Sequence, residues 1–563
     1  MKKILILFLF ISSIVFSKCP TGLAVVEAPA IVGDAKGGLL KIYVLVAEGD
    51  GNVYTSIDPY IGISTQQSAQ NAVELAFKKS GHNLNECNVF YTIPSSARFI
   101  DGPSAGALFT CAVYSAITNQ TMRDDIIITG SVNTRGSIGS VGGLDGKAKT
   151  ASIYNKNYFI TPIVSNKDYL LVSTINEKYG VTIVHVEDID TLFNYVFSDE
   201  ELPEVSYSLP HPNLNVEDLQ TENINNFDTV VYGLGYEVLD EVDTISPNTS
   251  ILSNIVGFMI DDIEYQNKLN EKGYKFTAAN NLFLHYTDLL FVEYLTKYQN
   301  LKLYHSHINK TVQEFEPVTE KTDKNFESVV GGYMRYTWAK SKVEAVGDQI
   351  EAVGDEQYSL AYDLSYASAW LKVSLLLNTM DTSGETINEN KVQKTAEKWI
   401  LETEKILTRS PNPSSDAVWH YSLAKDNLDN KQYIAAVYES AFAQALQRAN
   451  DGDDEDMGLI LDVAEVYTPK GLWGKLYFGQ GMYLLKNGNE EEAYKLMIMA
   501  VYFDNAYEDV YDTLQKEDIH FDELQTECDY SKINSFNNLM ILVGVGLFII
   551  LIQSVAIIIL SRQ

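Results

Sequence analysis

Basic residues are scarce in this chain: 42 Lys and Arg stand against 75 Asp and Glu over 563 residues, so 42 − 75 = −33 at neutral pH. Such a surface repels a phosphate backbone, which excludes a nucleic-acid partner. The acidity runs along the chain instead of gathering in one tail. With 46% hydrophobic and 11% aromatic residues, the composition is that of a folded protein, not a disordered one. Cysteine is rarer still: Cys19, Cys87, Cys111 and Cys528 are too few for a disulfide framework, and their pairing cannot be deduced from sequence. The phosphate loop G-x-x-x-x-G-K-[ST] is missing. Gly142-Gly143-Leu144-Asp145-Gly146-Lys147-Ala148 only approaches it, because three residues separate Gly142 from Gly146 and Ala148 lacks the hydroxyl that binds magnesium. Metal sets are absent too. His305 and His307 diverge if helical, and beside Asp451, Asp453 and Glu455 the glycine of a calcium loop is replaced by Asp456. No metal, nucleotide or other cofactor is expected.

Long apolar runs are confined to the two ends. Met1-Lys2-Lys3 precedes Ile4 to Phe16, a positive n-region and short h-region that read as a secretory signal over 1–19. An uncleaved signal anchor is the alternative, and Lys18 before Cys19 argues against a lipoprotein cleavage site. Leu539 to Leu560 is a stretch of 22 residues without charge, the length a transmembrane helix needs. Arg562 beyond it favours a cytoplasmic C-terminus. The expected localisation is therefore the cell membrane, single-pass after signal cleavage, with residues between the two ends outside the cytoplasm. Sequons at Asn119, Asn248 and Asn309 agree with export.

Between the ends the texture changes once. Over 20–200, strand-like runs (Leu39–Val46, Asn88–Ile93, Ile126–Thr129, Tyr158–Ile163, Val181–Val186) alternate with helical ones (Thr65–Lys79, Ala105–Thr118, Gly146–Tyr154), which predicts one mixed α/β domain. Residues 201–250, with Pro203, Pro210, Pro212 and Pro247, read as a linker. From 251 to 530 helical periodicity dominates and all five tryptophans occur. There, Ala424, Ala436 and Ala443, then Gly481, Ala493 and Ala500, repeat the offsets 12 and 7, similar to the small positions of tetratricopeptide repeats; ordinary helix-bundle packing gives the same pattern. The echo of Glu344–Asp348 in Glu351–Asp355 suggests a bent helix or a loop.

The chemistry concentrates in Asp101-Gly102-Pro103-Ser104-Ala105-Gly106, between a strand-like run and an apolar helix. Ser104 falls where that helix begins, so backbone N–H groups and the positive end of the dipole face its hydroxyl, a setting for a nucleophile and an oxyanion. A serine nucleophile needs a base, and a lysine serves only if its pKa falls from about 10.4 toward neutrality. Thr129-Gly130-Ser131-Val132-Asn133-Thr134-Arg135-Gly136 and then Val141-Gly142-Gly143-Leu144-Asp145-Gly146-Lys147 supply a candidate. Lys147 opens an apolar-patterned helix behind the glycines, whereas Lys149 points to the opposite side.

In these three blocks the chain resembles the proteolytic domain of the Lon family of Ser-Lys peptidases, and in its layout the membrane-anchored archaeal-type members without an ATPase domain. D-G-P-S-A-G, T-G-x-x-x-x-R-G and G-G-L-x-x-K stand in order, with 43 positions from Ser104 to Lys147 and 18 from Thr129 to Lys147. The resemblance covers about Gly22 to Phe197. It implies an α/β (α+β) Lon-type fold for that part, Ser104 as nucleophile, Lys147 as general base, Thr129 as the group orienting the lysine amine, and Asp101 as a residue shaping the loop or its electrostatics. There are two departures from ATP-dependent bacterial members: Phe90 and Thr92 replace two histidines, and Ser131 replaces a glutamate. Neither belongs to the dyad, so activity is expected to survive.

The expected function is a membrane-anchored, ATP-independent serine endopeptidase acting on unfolded or flexible polypeptides outside the cytoplasm. Its expected partners are polypeptide substrates and the membrane, with a homo-oligomer left open. The alternative is a catalytically silent Lon-like scaffold that binds peptide in a cell-surface complex.

Overall fold

The structure is a computed structural model that describes residues 19–32, 36–56, 59–95, 99–139, 141–163, 166–205, 218–219, 224–245, 250–352, 355–380, 383–452 and 467–515. The expected signal, the expected span 539–560, Cys528 and the acidic run after Asp453 lie outside these residues. No helix among the described residues is long and apolar enough to cross a membrane.

The first part is mixed α/β. In chain order it comprises β1 (Gly22–Val32), β2 (Lys36–Glu48), β3 (Val53–Thr55), α1 (Ile63–Ser80), β4 (Cys87–Thr92), α2 (Gly106–Thr118), β5 (Ile126–Ile128), α3 (Leu144–Ile153), β6 (Tyr158–Thr161), α4 (Asn166–Tyr179), β7 (Thr182–His185) and α5 (Ile189–Val196). One sheet has the order β1-β2-β4-β3, a second, all parallel, β7-β6-β5, and two short two-stranded pairs join Tyr60–Ile61 to Phe99–Ile100 and Ser131–Val132 to Ile138–Gly139. β2 forms because its side chains alternate: Ile42, Val44 and Val46 face the core, while Lys41, Tyr43 and Leu45 face out. A disulfide joins Cys19, just before β1, to Cys87 at the start of β4, and Cys111 is buried as a free thiol. The parallel strand Ile126–Ile128 is wholly apolar and buried, and Thr182–His185 buries its central Ile183 and Val184, as strands covered on both faces do.

The second part is helical: α6 (Asp228–Thr244), α7 (Ser250–Glu271), α8 (Lys275–Glu293), α9 (Leu301–Glu314), α10 (Phe326–Asp348), α11 (Asp355–Leu377), α12 (Gln393–Arg409), α13 (Ser415–Asp429), α14 (Tyr433–Asp451), α15 (Leu472–Lys486) and α16 (Glu490–Gln515). The repeated small residues fall on two helical hairpins. Ala424, Ala436 and Ala443 are fully buried in α13 and α14, and in the second hairpin a Cβ on Gly481 would lie 2.8 Å from Met497 Cε. The first Glu-Ala-Val-Gly-Asp copy closes α10, while Val353 and Gly354 of the second lie outside the described residues.

Two boundaries differ from the sequence reading. The expected linker carries α6, whose Val230, Val231, Leu234 and Val238 are buried, so helical structure begins about twenty residues earlier than expected. Nor does the core stop at the linker. Leu144, Ala148, Ala151, Leu171 and Ile175 of the α/β part join Met259, Phe283 and Phe291 of the helical part in one hydrophobic cluster. A second cluster fills the space between the four-stranded sheet, α1 and α2. The prolines marked a change of texture, not a separation of cores.

Candidate active site

Ser104 sits in a single 3-10 turn, Pro103–Ala105, that feeds directly into α2. Gly102 precedes it with φ +133°, a conformation that favours glycine, and the turn is thereby set off sharply from the chain before it. Three residues of α1 fasten this loop. Thr65 Oγ1 donates to Gly102 O at 3.0 Å and Ser68 Oγ donates to Pro103 O at 3.0 Å. Asp101 accepts from Ser64 Oγ and, at 3.2 Å, from Thr65 N, so it serves as a cap for the start of α1, where Gly62 supplies no side chain. The Ser64 hydroxyl, foremost, holds the exposed Asp101 carboxyl below its usual range. Asp101 thus shapes the loop by binding α1. Its partners Ser64, Thr65 and Ser68 went unnoticed in the sequence, where the only signal is a cluster of hydroxyl residues at a helix start.

The second block fastens the other side. Gly130 N donates to Ser104 O at 2.8 Å, Ala107 N donates to Gly130 O at 3.0 Å, and Thr129 Oγ1 donates to Ser104 O at 3.2 Å. Thr129 follows β5, and its own N–H is bound to Ile160 O at 3.0 Å, so the parallel sheet fixes its position.

The third block brings the lysine. Gly143, at φ +81°, makes the turn that starts α3, and Lys147 lies one turn on with its N–H on Gly143 O at 2.9 Å. Its side chain is 5% exposed, while that of Lys149 lies on the exposed face, as the sequence predicts. Lys147 Nζ donates to Thr129 Oγ1 at 3.2 Å and to Gly142 O at 2.7 Å. The Thr129 hydroxyl therefore accepts from the lysine amine and donates to the backbone of Ser104. Asp145, two residues before the lysine, turns the other way, toward Lys178 at 3.0 Å and the Tyr179 hydroxyl at 3.1 Å.

Asp101, Ser104 and Lys147 all line one cavity of about 510 Å³, whose other walls include Ala28, Leu40, Ile42, Ile93 and Phe109. Among the described residues no hydrogen bond joins the Ser104 and Lys147 side chains. The amine rests on Thr129 and on the Gly142 carbonyl, on the same cavity as the serine. Phe90 stands outside the cavity lining, stacked on Tyr54 with ring centroids 4.9 Å apart. His305 bonds Val343 O at 3.0 Å and His307 packs on Tyr298, so the two imidazoles have separate partners. Among the described residues no cluster could hold a metal ion.

Residues 26–199 match the Lon protease (S16) C-terminal proteolytic domain. This is a Lon-type domain. Over it the chain is 28% identical to Lon protease 2 of Herpetosiphon aurantiacus across 182 residues, which are 31% of this chain and 22% of that protein. It is 32% identical to Lon protease of Dictyoglomus thermophilum across 169 residues, 29% of this chain and 21% of that protein. With the archaeal Lon protease of Thermococcus kodakarensis the figures are 25% across 178 residues, 31% and 27%. The chain spans about a fifth of the length of the first curated relatives it matches. The Lon-type domain ends near α5, and the helices from α6 onward lie beyond the matched residues.

Proposed function

We propose that this protein is a serine endopeptidase in which Ser104 attacks the scissile carbonyl and Lys147 takes its proton. The observation that carries the reading is the single cavity lined by both residues, with the Thr129 hydroxyl bridging the lysine amine to the serine backbone. In the first step the lone pair of a neutral Lys147 amine accepts the Ser104 proton as Oγ bonds to the carbonyl carbon. The lysine then returns that proton to the leaving amine, and water hydrolyses the acyl-serine. The step requires an uncharged amine, and the amine in question is buried, with Nζ held on the Thr129 hydroxyl and the Gly142 carbonyl. The N-terminus of α2 places partial positive charge where the oxyanion develops. Release of Nζ from Gly142 O toward Ser104 completes the dyad, in keeping with catalytic hydrogen bonds that tighten only when substrate binds.

The apolar walls around Ser104 suit an apolar side chain of an extended polypeptide. With no phosphate loop in the sequence, we propose action without ATP on chains already unfolded or flexible. Membrane anchorage through 539–560 and an extracytoplasmic catalytic part remain our reading of the sequence. The Cys19–Cys87 disulfide supports it, since such bonds persist in oxidising compartments. The exposed Leu23, Val25, Tyr43, Leu45 and Phe90 on the outer face of the first sheet support a homo-oligomer.

Fluorescent casein incubated with the full chain, Ser104→Ala and Lys147→Ala tests the reading. Each variant is expected to lose at least about 10³-fold in rate. Equal rates in all three, or none from a folded parent, would favour a peptide-binding scaffold. External protease on intact cells tests placement separately: degradation of residues 20–530 is expected, and full protection would contradict it.

A further inference from the structure

The helical part contains a cavity of its own, about 330 Å³, remote from Ser104 in its lining. Phe276, Trp338, Trp370, Phe442, Trp473 and Tyr477 are the aromatic part of a wall completed by aliphatic side chains such as Val373 and Leu377. Into this aromatic shell α10 places Arg335, only 7% exposed. Its guanidinium lies between two indoles, 4.7 Å from the Trp338 ring centre and 4.4 Å from that of Trp473, and Nη1 donates to Gly331 O at 3.3 Å. Burial, foremost, pulls its pKa down, against the neighbouring Tyr477 hydroxyl and Glu439 carboxylate, which favour its charge. Glu439 turns its oxygens to Trp338 Nε1 at 2.7 Å and His420 Nδ1 at 2.6 Å. Among the described residues no carboxylate hydrogen-bonds Arg335. Two half-buried amides, Asn280 and Gln480, line the same cavity, and neither side chain is hydrogen-bonded within the described protein.

A buried guanidinium is costly unless an anion meets its donors, and its planar fork matches a carboxylate. The aromatic walls reward an apolar body and penalise a doubly charged headgroup such as phosphate. The volume, at the low end for ligand cavities, limits the occupant to a small molecule or a single residue. We propose that this cavity is a binding site for a carboxylate borne on a small apolar body, held by Arg335 with Asn280 and Gln480 and packed on the tryptophans. A free aromatic acid and the apolar C-terminal residue of a peptide share this chemistry.

Tryptophan fluorescence of the full chain in lipid nanodiscs reads occupancy directly, because Trp338, Trp370 and Trp473 line the cavity. Three probes are titrated: 3-phenylpropanoate, its amide, and N-acetyl-Ala-Phe with a free carboxylate. Saturable quenching by at least one carboxylate is expected, with the amide at least about tenfold weaker. Phenylpropanoate binding the tighter identifies a free acid as the source, and the peptide binding the tighter identifies a chain terminus. Arg335→Gln, with circular dichroism unchanged, should erase the preference for the carboxylate. Should that variant fail to fold, Gln480→Leu is expected to weaken carboxylate binding several-fold and Val373→Trp, which fills the cavity, to abolish it. Ser104→Ala should bind as the parent does, which separates this site from the peptidase. Absence of saturable binding, equal affinity for acid and amide, or unchanged affinity in the folded variants would overturn the proposal.

Discussion

Thr129 is the residue on which the proposed active-site geometry turns, because one hydroxyl touches both the Lys147 amine and the Ser104 backbone. Thr129→Val keeps the shape and removes both bonds. It is expected to lower kcat by about 10²-fold through misplacement of the reacting groups, with KM little changed, while Thr129→Ser restores most of the rate. Steady-state kinetics on a fluorogenic peptide checks this, and an unchanged kcat in the valine variant would remove Thr129 from the mechanism. Ser104, Lys147 and Thr129 were legible in the sequence because each lies in its own short block at a telling distance from the others. The contacts of Asp101 with Ser64 and Thr65 were not, since they join residues 36 and 37 positions apart through side chains common at any helix start. Arg335 was equally opaque. One arginine in a helix looks like a solvated charge until the helices around it are placed.

At the scale of elements, Glu327 couples three helices. From the first turn of α10 its carboxylate accepts from Leu472 N at 2.7 Å, at the start of α15, and from the Tyr438 hydroxyl of α14 at 3.0 Å. Burial, aided by the charge of Asp504, pushes its pKa up to about 7 against the hydrogen bonds that favour the anion. A raised carboxyl pKa means that the native state holds the proton where the unfolded chain has lost it. Stability from this group is therefore greatest below the unfolded pKa near 4.5 and falls as pH rises toward 7, by an amount on the order of 3 kcal/mol. Urea denaturation across that window should show the decline, and Glu327→Gln should flatten it; an equal slope in both proteins would contradict the assignment. Among the elements themselves, β2, β4, α1 and α2 were readable because their periodicities are clean. β1 was not marked, as Glu27 and Pro29 interrupt its apolar residues, and α6 was hidden by the prolines flanking it, although its buried valines repeat at helical spacing.

For the whole molecule, the shared core changes what the helical part is for. α3, which carries Lys147 toward the cavity, turns Leu144, Ala148 and Ala151 into the cluster that continues through the helices, and α4 packs on α7 and α8. Residues 19–205, which keep the Cys19–Cys87 disulfide, are accordingly expected when expressed alone to expose apolar surface and to aggregate or bind hydrophobic dyes, unlike the full chain. A monomeric, cooperatively melting fragment in size-exclusion chromatography and calorimetry would show instead that the α/β part stands by itself. The change of texture in the sequence marked the two parts but could not reveal a core that crosses from one to the other. The central claim is that Ser104 is the nucleophile, and mass spectrometry of the full chain incubated with an activated peptide ester tests it most directly. The expected result is one acyl adduct on the peptide containing Ser104, absent in Ser104→Ala and strongly reduced in Lys147→Ala. An adduct on another residue, or none from a folded and unmodified parent, would contradict it.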